Sequence, residues 1–228
     1  MRVARVENNG PVETRRGKQG VLKALESVAL IIGIAVLIGI FGFLRPEAFL
    51  SWTNISTMLG SQAVLVILTL ALIIPLTAGD LDLSVAATLT LSAMVVAVLN
   101  VQMEVPLALT APLALAVGVV IGCVNAAFII YFRIPSLIVT LGTGTFVQGL
   151  VLWISGSMTI SGVSPTLVQY VIVERLFGVP LAFYYALVLC CVVWYVFDFT
   201  SLGRRLLFVG RGREVARLSG IRVDRVRF

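Results

Sequence analysis

Histidine, cysteine and charged side chains are scarce in this sequence of 228 residues, and each shortage narrows the kinds of site it can form. There is no histidine, so the most common catalytic base and metal ligand is missing. The three cysteines, Cys123, Cys190 and Cys191, lack the spacing of a zinc site, and each lies in an apolar run where a packing role is expected. The sequence also lacks a phosphate-binding glycine loop and a nucleophile motif. We therefore expect no catalytic residue, no metal site and no cofactor in this chain.

Charge is low and unevenly distributed along the chain. Only 12% of the residues are charged, against about 25% in a typical soluble domain, while 59% are hydrophobic and the mean hydropathy is +1.06. The uncharged runs are long enough for helices that cross a bilayer, which need about 20 residues and satisfy their own backbone hydrogen bonds. Such runs argue against a soluble domain, and they lack the period-two alternation of a membrane β-barrel. The sequence predicts an all-α, polytopic helical membrane protein.

Six transmembrane helices are predicted, at residues 26–44, 55–77, 83–100, 107–131, 135–155 and 180–199. The first span is interpreted as uncleaved, because the bulky Phe43 and Leu44 at its end offer no small-residue cleavage site. Residues 1–25 then form a basic cytoplasmic N-terminal segment, residues 26–199 a transmembrane helical domain, and residues 200–228 a second basic segment.

The basic residues predict the orientation, because cytoplasmic loops are enriched in Lys and Arg. With both ends in the cytoplasm and six crossings, Arg45 and Arg175 are the only members of the 17 Lys and Arg residues that fall outside. The net charge of +6 is then explained by segments that lie beside the membrane, and it implies no nucleic-acid partner.

Two acids, Asp80 and Asp82, stand close to Ser84 between the second and third spans. Carboxylates next to long apolar runs are costly to insert, so both should face water or partners. One interpretation is a pathway or gate element at a break between helices. The other is a turn in which Asp82 or Ser84 caps the third helix, and the spacing alone favours this turn.

Small and polar residues mark the fourth and fifth spans. Gly118, Gly122 and Ala126 recur every four residues, which predicts close helix packing, and Asn125 beside them could form a hydrogen bond across the contact. Polar side chains in the fifth span either line a water-filled path or pack tightly, and the sequence leaves both open. The pathway or gate candidates are Asp80, Asp82, Ser84, Asn125, Thr140, Thr143 and Gln148.

The C-terminal segment predicts a short cytoplasmic helix. Within residues 214–221, Val215 and Leu218 are apolar and three positions apart, and Gly220 is a natural helix cap. A short helix with apolar and basic faces suits a groove on a soluble partner or a surface of anionic lipid.

Three stretches of the chain are similar to elements that occur together in one family. Residues 77–85 are similar to a Gly-Ile-Asp-Leu-Ser-Val-Gly element, and residues 125–143 end in a match to Arg-Ile-Pro-x-Leu-Ile-Val-Thr-Leu-Gly-Thr. Residues 200–225 are similar to an element that begins Gly-Arg and ends Ala-Ala-x-Leu-Ser-Gly-Ile. In these features the chain resembles the membrane subunits of bacterial ATP-binding-cassette importers for ribose, xylose, galactose and related sugars, the branched permease family. Ala86, Arg213 and Val215 differ from the family pattern.

The resemblance implies a permease subunit of a bacterial inner membrane that forms the translocation pathway for a sugar or similar small polar solute. It implies a periplasmic solute-binding protein, a second permease copy or paralogue in the lipid bilayer, and a separate cytoplasmic ATPase subunit that holds ATP and Mg. The helix of residues 214–221 would be the coupling helix, with Ala216 facing the ATPase where only a small side chain fits. The residues implied in ATPase coupling are Gly210, Glu214, Ala216, Arg217, Leu218, Ser219, Gly220 and Ile221.

Two alternatives to this importer subunit stay open. One is a secondary transporter, which needs no ATPase. The other is a membrane fragment that does not transport, because members of the family usually carry further spans after the coupling segment and this chain is therefore expected to be a truncated product.

Overall fold

The computed structural model describes the backbone of residues 13–228 and the side chains of residues 28–228. Residues 1–12 of the predicted basic N-terminal segment lie outside the described residues, as do the side chains of the rest of that segment. The chain divides into a first unit that ends at Ile55 and a second unit, Ser56–Phe228.

The first unit holds a long helix and the turn that follows it. Helix α1 (Glu13–Leu44) is followed by α2 (Pro46–Phe49), and α3 (Trp52–Thr77) begins just before the unit ends. In the turn, the Phe41 ring stacks on the Phe49 ring with 5.7 Å between centroids, and Asn54 Nδ2 donates to the Phe49 carbonyl oxygen at 2.9 Å. These contacts fix the path of the chain from α2 to the start of α3.

The second unit continues with helices and one small hairpin. In chain order it contains α4 (Val85–Ala97), a π-helical turn (Val98–Gln102), α5 (Leu107–Ile130), α6 (Ser136–Ser155), α7 (Pro165–Val168), a second π-helical turn (Gln169–Val173), β1 (Arg175–Leu176), β2 (Val179–Pro180), α8 (Leu181–Phe199), α9 (Ser201–Arg211), α10 (Arg213–Leu218) and α11 (Val223–Arg227).

Five helices in the described part of the chain are long and apolar enough to cross a membrane: α3, α4 with its π-helical turn, α5, α6 and α8. The described apolar stretch of α1, Val28–Leu44, is shorter. No more than 28% of any of the five spans is buried, so most of their apolar side chains point outward, as contact with lipid requires. The protein is therefore a polytopic helical membrane protein, which confirms the predicted fold class.

Prolines precede three of the spanning helices. Pro106, Pro135 and Pro180 stand directly before α5, α6 and α8, each with φ between −57° and −53°. Proline lacks an N–H and has a helix-like φ, so it is tolerated where the first helical N–H groups have no partner. Pro75 lies instead inside α3, near its end, where it removes one intrahelical hydrogen bond.

Helices α4, α5 and α6 pack together around one apolar core. Its buried side chains come from all three helices, and partly buried neighbours such as Met94 and Val117 surround them. Ser92 of α4 also donates a hydrogen bond to the Ala114 carbonyl oxygen of α5 at 3.1 Å. The core residues are Ala87, Leu91, Ile121, Val147 and Val151.

The hairpin before α8 is attached to the start of α3. Strands β1 and β2 pair antiparallel, with Arg175 opposite Pro180. The Ser56 hydroxyl donates to the Gly178 carbonyl oxygen and accepts from Arg175 Nη1 at 3.2 Å. A Cβ added at Gly60 would lie 2.7 Å from Pro180 Cγ, so this face of α3 fits closely against the hairpin.

The tail, which we define as residues 200–228, folds into α9, α10 and α11. The Thr200 hydroxyl accepts a hydrogen bond from the Gly203 N–H at 3.3 Å and thereby caps α9. A Cβ at Gly203 would overlap the backbone of Val196 and Phe197, so glycine permits the sharp turn from α8 into α9. The three tail helices enclose a small core of Val209, Ala216 and Val223, against which Ile221 and Val226 pack.

Candidate functional site

The site begins at a break between two helices. We call residues 78–84, which separate the end of α3 from the start of α4, the helix break. Gly79 has φ +80°, a left-handed conformation that glycine adopts without strain. The Pro75 carbonyl oxygen accepts from the N–H groups of Ala78 and Asp80, both at 3.0 Å. This local sequence stops α3 and turns the chain so that Asp80 points to the tail.

Asp80 is held by two arginines of the tail. Arg227 donates through Nε to Asp80 Oδ2 at 2.7 Å and through Nη2 to Asp80 Oδ1 at 2.8 Å, a two-point pairing that fixes both groups. Arg213 Nη2 donates to Asp80 Oδ1 at 2.9 Å and to the Gly79 carbonyl oxygen at 2.8 Å. We call Asp80, Arg213 and Arg227 the clamp. It joins the helix break to both α10 and α11.

Burial and pairing act on Asp80 in opposite directions. Its side chain is 13% exposed, and burial on its own would raise the pKa of the carboxyl. The hydrogen bond and charge of Arg227, followed by the charge and hydrogen bond of Arg213, outweigh burial and hold the pKa of Asp80 below its ordinary value. Asp80 is therefore ionised at neutral pH, and both arginines face a full negative charge.

A second set of hydrogen bonds leads from the helix break into α5. Asp82 Oδ1 accepts from the Ser84 N–H at 2.8 Å and from the Ser84 hydroxyl at 2.6 Å. Asn125 Nδ2 donates to the same hydroxyl oxygen at 2.9 Å. Ser84 and Asn125 are 1% and 4% exposed, and buried polar groups are normally held by such partners. Asp82 thus forms the turn at the start of α4, and Ser84 links that turn to α5.

The carboxamide oxygen of Asn125 is the exception in this network. Asn125 Oδ1 is buried and has no hydrogen-bond partner among the described residues. An unmet buried acceptor costs roughly 1–3 kcal/mol. The network is therefore complete up to the Asn125 amide nitrogen and incomplete beyond it.

Helix α6 holds the other side of the helix break. Ser136 Oγ accepts from the Leu81 N–H at 3.1 Å, and Thr140 Oγ1 accepts from the Leu83 N–H at 3.1 Å. The Thr140 hydroxyl also lies within hydrogen-bond distance of the Leu81 and Ser136 carbonyl oxygens, at 3.2 and 2.9 Å. The N–H groups of Leu81 and Leu83 are thereby bonded to side chains of α6.

Two cavities adjoin the helix break. One, of about 250 Å³, lies between the helix break, α5 and the tail and is lined in part by Asp82, Asn125 and Thr140. The other, of about 680 Å³, lies on the far side of Asp80, where Arg133 and Arg217 face it together with Asp224 and the arginines of the clamp. Arg133 occupies the turn between α5 and α6 with φ +55°. The basic residues of this turn and of the tail therefore meet at one end of the helices.

The structure brings some of the predicted pathway residues together and leaves others apart. Asp80, Asp82, Ser84, Asn125 and Thr140 meet at the helix break, whereas Thr143 lies deeper, beside an apolar groove of α4, α5 and α6. Gln148 is exposed on α6. Arg213 and Arg227 of the clamp were not predicted as site residues from the sequence, and neither was Ser136.

The small residues of α5 contribute unequally to packing. A Cβ added at Gly118 would lie 3.8 Å from Thr88 Cγ2, so this position faces α4 at ordinary contact distance. At Gly122 an added Cβ would meet no described atom within 4 Å. Ala126 is half-buried and lines the smaller cavity. Of these small residues, it is therefore Gly118 that packs closely against a neighbouring helix.

The short tail helix ends in the geometry that its glycine predicts. Gly220 has φ +80°, its N–H donates to the Arg217 carbonyl oxygen at 3.0 Å, and the Ile221 N–H donates to the Ala216 carbonyl oxygen at 3.0 Å. These two bonds form a Schellman motif, with Ile221 packed back towards Ala216. The helix, α10, is shorter than the predicted residues 214–221.

The expectation that Ala216 faces a partner is wrong. Ala216 is 0% exposed and lies in the tail core with Val209 and Val223. Its small side chain is needed because α9 and α11 cover it. The outward face of α10 is formed by its neighbours Val215 and Leu218, which are 62% and 85% exposed.

The remaining coupling candidates divide in the same way. Glu214, Arg217, Ser219 and Gly220 are exposed, and Ile221 is half-buried. Gly210 belongs to α9, where an added Cβ would overlap the Thr77 carbonyl oxygen. Gly210 therefore lets α9 approach the end of α3.

No group of three or more acidic or cysteine side chains that could hold a metal ion occurs among the residues that the structure describes. The three thiols are free, Cys123 on α5 and Cys190 and Cys191 on α8. The arrangement at the helix break consists of charge pairs and hydrogen bonds, which join it to the tail, α5 and α6.

Comparison with known proteins gives consistent matches. A family model described as "Branched-chain amino acid transport system / permease component" matches residues 54–228. The D-allose transport system permease protein AlsC of Escherichia coli (strain K12) is 29% identical over 190 residues, which are 83% of this chain and 58% of the relative. The autoinducer 2 import system permease protein LsrD of Photorhabdus laumondii is 31% identical over 206 residues, 87% of this chain and 60% of the relative.

A third relative extends the match further. The galactose/methyl galactoside import permease protein MglC of Salmonella typhimurium is 30% identical over 223 residues, 90% of this chain and 66% of the relative. The chain thus spans 58 to 66% of the length of these three proteins. No solved structure matches it.

Proposed function

The chain belongs to the family of branched-chain amino acid transport system permease components, and on that premise we propose that it is the membrane subunit of an ATP-binding-cassette importer. The subunit contributes to the translocation pathway and has no catalytic activity of its own. A separate cytoplasmic ATPase supplies the energy, a periplasmic binding protein delivers the solute, and a second permease copy or paralogue completes the pathway.

The outward face of α10 carries this proposal. Val215 and Leu218 are exposed apolar side chains on a short helix whose first residue, Arg213, is bonded to Asp80 and whose end is capped at Gly220. Exposed apolar side chains flanked by charged ones are typical of a protein-binding surface. The face is held to the membrane helices through the clamp, so a partner that moves α10 also acts on the helix break.

The charge distribution supports a cytoplasmic position for this face. The helix break, Arg133 and the tail lie at one end of the spanning helices, and the hairpin that contains Arg175 lies at the other. Because cytoplasmic segments are enriched in Arg and Lys, the tail end is the cytoplasmic one. We propose that α1 crosses the membrane as a sixth span, so that the N-terminus also lies in the cytoplasm and the protein resides in the inner membrane of a bacterial cell.

The cargo is a sugar or a similar small polar solute. The three relatives are named for D-allose, autoinducer 2 and galactose or methyl galactoside, all small and polar. A panel of these radiolabelled compounds, tested for uptake into proteoliposomes with the ATPase and the binding protein of the same transport system, identifies the solute class.

The contact with the ATPase is tested by replacing an exposed apolar side chain of α10 with a polar one. Leu218→Ser removes an exposed apolar side chain, so it should weaken co-purification of the ATPase while the melting temperature of the permease stays unchanged. Leu202→Ser, an equal change at a 58% exposed position of α9, serves as the control. If Leu218→Ser retains both the ATPase and full uptake, α10 is not the coupling surface.

A further inference from the structure

We infer that Asp80 is the positioning residue through which movement of the tail reaches the membrane helices, with Asp82, Ser84 and Asn125 as the relay beyond it. This inference rests on the proposed function for its transport consequence, but the contact itself is a property of this chain. It names which residue converts movement of α10 and α11 into movement of the helix break.

The clamp joins the tail to the helix break with strong, directional bonds. Asp80 accepts two hydrogen bonds from Arg227 and one from Arg213, all between 2.7 and 2.9 Å. The side chains of Asp80 and Arg227 are 13% and 10% exposed, so water does little to weaken their pairing. A bidentate pair of this kind fixes the relative orientation of the two groups. It therefore passes on a change in orientation as well as a displacement.

The two arginines of the clamp belong to different tail helices. Arg213 is the first residue of α10 and Arg227 is the last residue of α11. The core of Val209, Ala216 and Val223 holds these helices together, so they move as one body. A partner that displaces α10 therefore displaces both donors of Asp80 at once.

The helix break passes such a displacement on to two separate helices, α5 and α6. Asp82 and Ser84 are bonded to Asn125 of α5, and the backbone of Leu81 and Leu83 is bonded to Ser136 and Thr140 of α6. Asp80 lies two residues from Asp82, in the same segment between α3 and α4. The helix break is thus the only described segment that contacts the clamp, α5 and α6 together through side-chain hydrogen bonds.

The relay ends at Asn125 of α5. Asn125 Oδ1 is buried without a hydrogen-bond partner among the described side chains and backbone. A shift of the helix break moves Ser84, whose hydroxyl oxygen accepts from Asn125 Nδ2, and the relay therefore ends on a side chain of α5.

The other charged groups around Asp80 provide a matched control. Asp224 faces the same cavity as Asp80, but it is 62% exposed and its nearest cation, Arg217, is 4.0 Å away. Asp224→Asn removes the same charge from the same cavity without touching the helix break. Asp80→Glu keeps the charge and tests whether the carboxylate alone is sufficient.

The transport experiment compares Asp80→Asn, Arg227→Gln, Asp80→Glu and Asp224→Asn in proteoliposomes with the ATPase and the binding protein. The ratio of solute transported to ATP hydrolysed is the decisive readout, because a loss of folded protein lowers both activities together and leaves this ratio unchanged. We expect Asp80→Asn and Arg227→Gln to lower the ratio about tenfold or more while the ATPase stays bound. Asp80→Glu should recover most of the ratio, and Asp224→Asn should match the wild type.

A second experiment needs no transport. Ala78 is 2% exposed and lies in the helix break, under Gly210 of the tail. In a background without the native cysteines, the thiol introduced by Ala78→Cys should react slowly with a maleimide in detergent. Adding Asp80→Asn should speed the reaction about tenfold or more, and adding Asp224→Asn should leave it unchanged.

The outcomes separate this inference from the proposed function. An unchanged transport ratio in Asp80→Asn overturns the inference, and so does an equal loss in Asp80→Asn and Asp224→Asn. If the wild type neither binds the ATPase nor takes up any solute, the proposed function fails. The labelling rates then still decide whether Asp80 holds the tail on the helix break, and equal rates with and without Asp80→Asn overturn that contact.

Discussion

Gly210 offers a direct test of how the tail is docked. It lies in α9 at the point where that helix meets the end of α3, and a Cβ placed there would overlap the Thr77 carbonyl oxygen. This oxygen belongs to the backbone, so it cannot rotate away as the end of a long side chain could. Gly210→Ala should therefore push α9 away from α3 and loosen the tail.

The size of the effect follows from two opposing contributions. Overpacking against a fixed neighbour costs up to about 3 kcal/mol, whereas exchanging glycine for alanine within a helix favours the helix by up to about 1 kcal/mol. The net weakening of the docked tail is then about 2 kcal/mol. This corresponds to a roughly thirtyfold larger fraction of molecules in which the tail has opened.

Trypsin digestion in detergent measures this fraction. The tail contains exposed arginines, among them Arg211 and Arg213, and cleavage within its helices requires local opening. Mass spectrometry of the released tail peptides should show a roughly thirtyfold faster rate for Gly210→Ala. The control is Gly122→Ala, where an added Cβ meets no described atom within 4 Å, and which should leave tail cleavage unchanged. Equal rates for both variants would refute the reasoning.

Three further predictions concern the cap, the clamp and the orientation. Gly220→Val should destabilise the tail by about 1–2 kcal/mol in trypsin digestion, because a β-branched residue resists the φ of +80°, while Gly220→Asn should cost less. The stability difference between the wild type and Asp80→Asn should be constant from neutral pH down to about pH 5. It should shrink below about pH 4, because the pKa of Asp80 is lower in the folded protein than in the unfolded chain, and its stabilisation is lost only as pH falls through the folded value. A difference that instead changes between pH 6 and 8 would contradict the ionised clamp. In a background without native cysteines, an impermeant thiol reagent outside intact cells should label Ser157→Cys and spare Ser201→Cys, and labelling of the second alone would reverse the orientation.

The membrane helices could be predicted from the sequence because lipid imposes a simple rule. A helix that crosses a bilayer carries almost no charge, so each uncharged run marks a span without any knowledge of its neighbours. The cap at Gly220 was equally readable, because a left-handed residue after an amphipathic turn favours glycine. Both signals are local to the segment that they describe.

The clamp could not be predicted because its partners are distant in the sequence. Asp80 and Arg227 are 147 positions apart, and one arginine among many in a basic segment carries no mark of its partner. Arg213, which differs from the family pattern, was visible as an exception, but its role required the fold.

Ala216 was misread for a related reason. The family resemblance implied that Ala216 faces the ATPase, at a contact where only a small side chain fits. Alanine is common on both buried and exposed faces, so hydrophobicity did not show that the tail's own helices cover this position. Its apolar neighbours Val215 and Leu218, which a soluble protein would bury, are the exposed ones.

Helix α3 is held by contacts near both of its ends. Near one end Ser56 and Gly60 meet the hairpin that leads into α8, and at the other end Thr77 meets Gly210 in the helix that follows α8. Both contacts involve segments that adjoin α8. Sliding α3 past α8 by a single residue, about 1.5 Å, would therefore break one of them. The two helices can still tilt together, and α3 can bend where Pro75 has already removed a hydrogen bond.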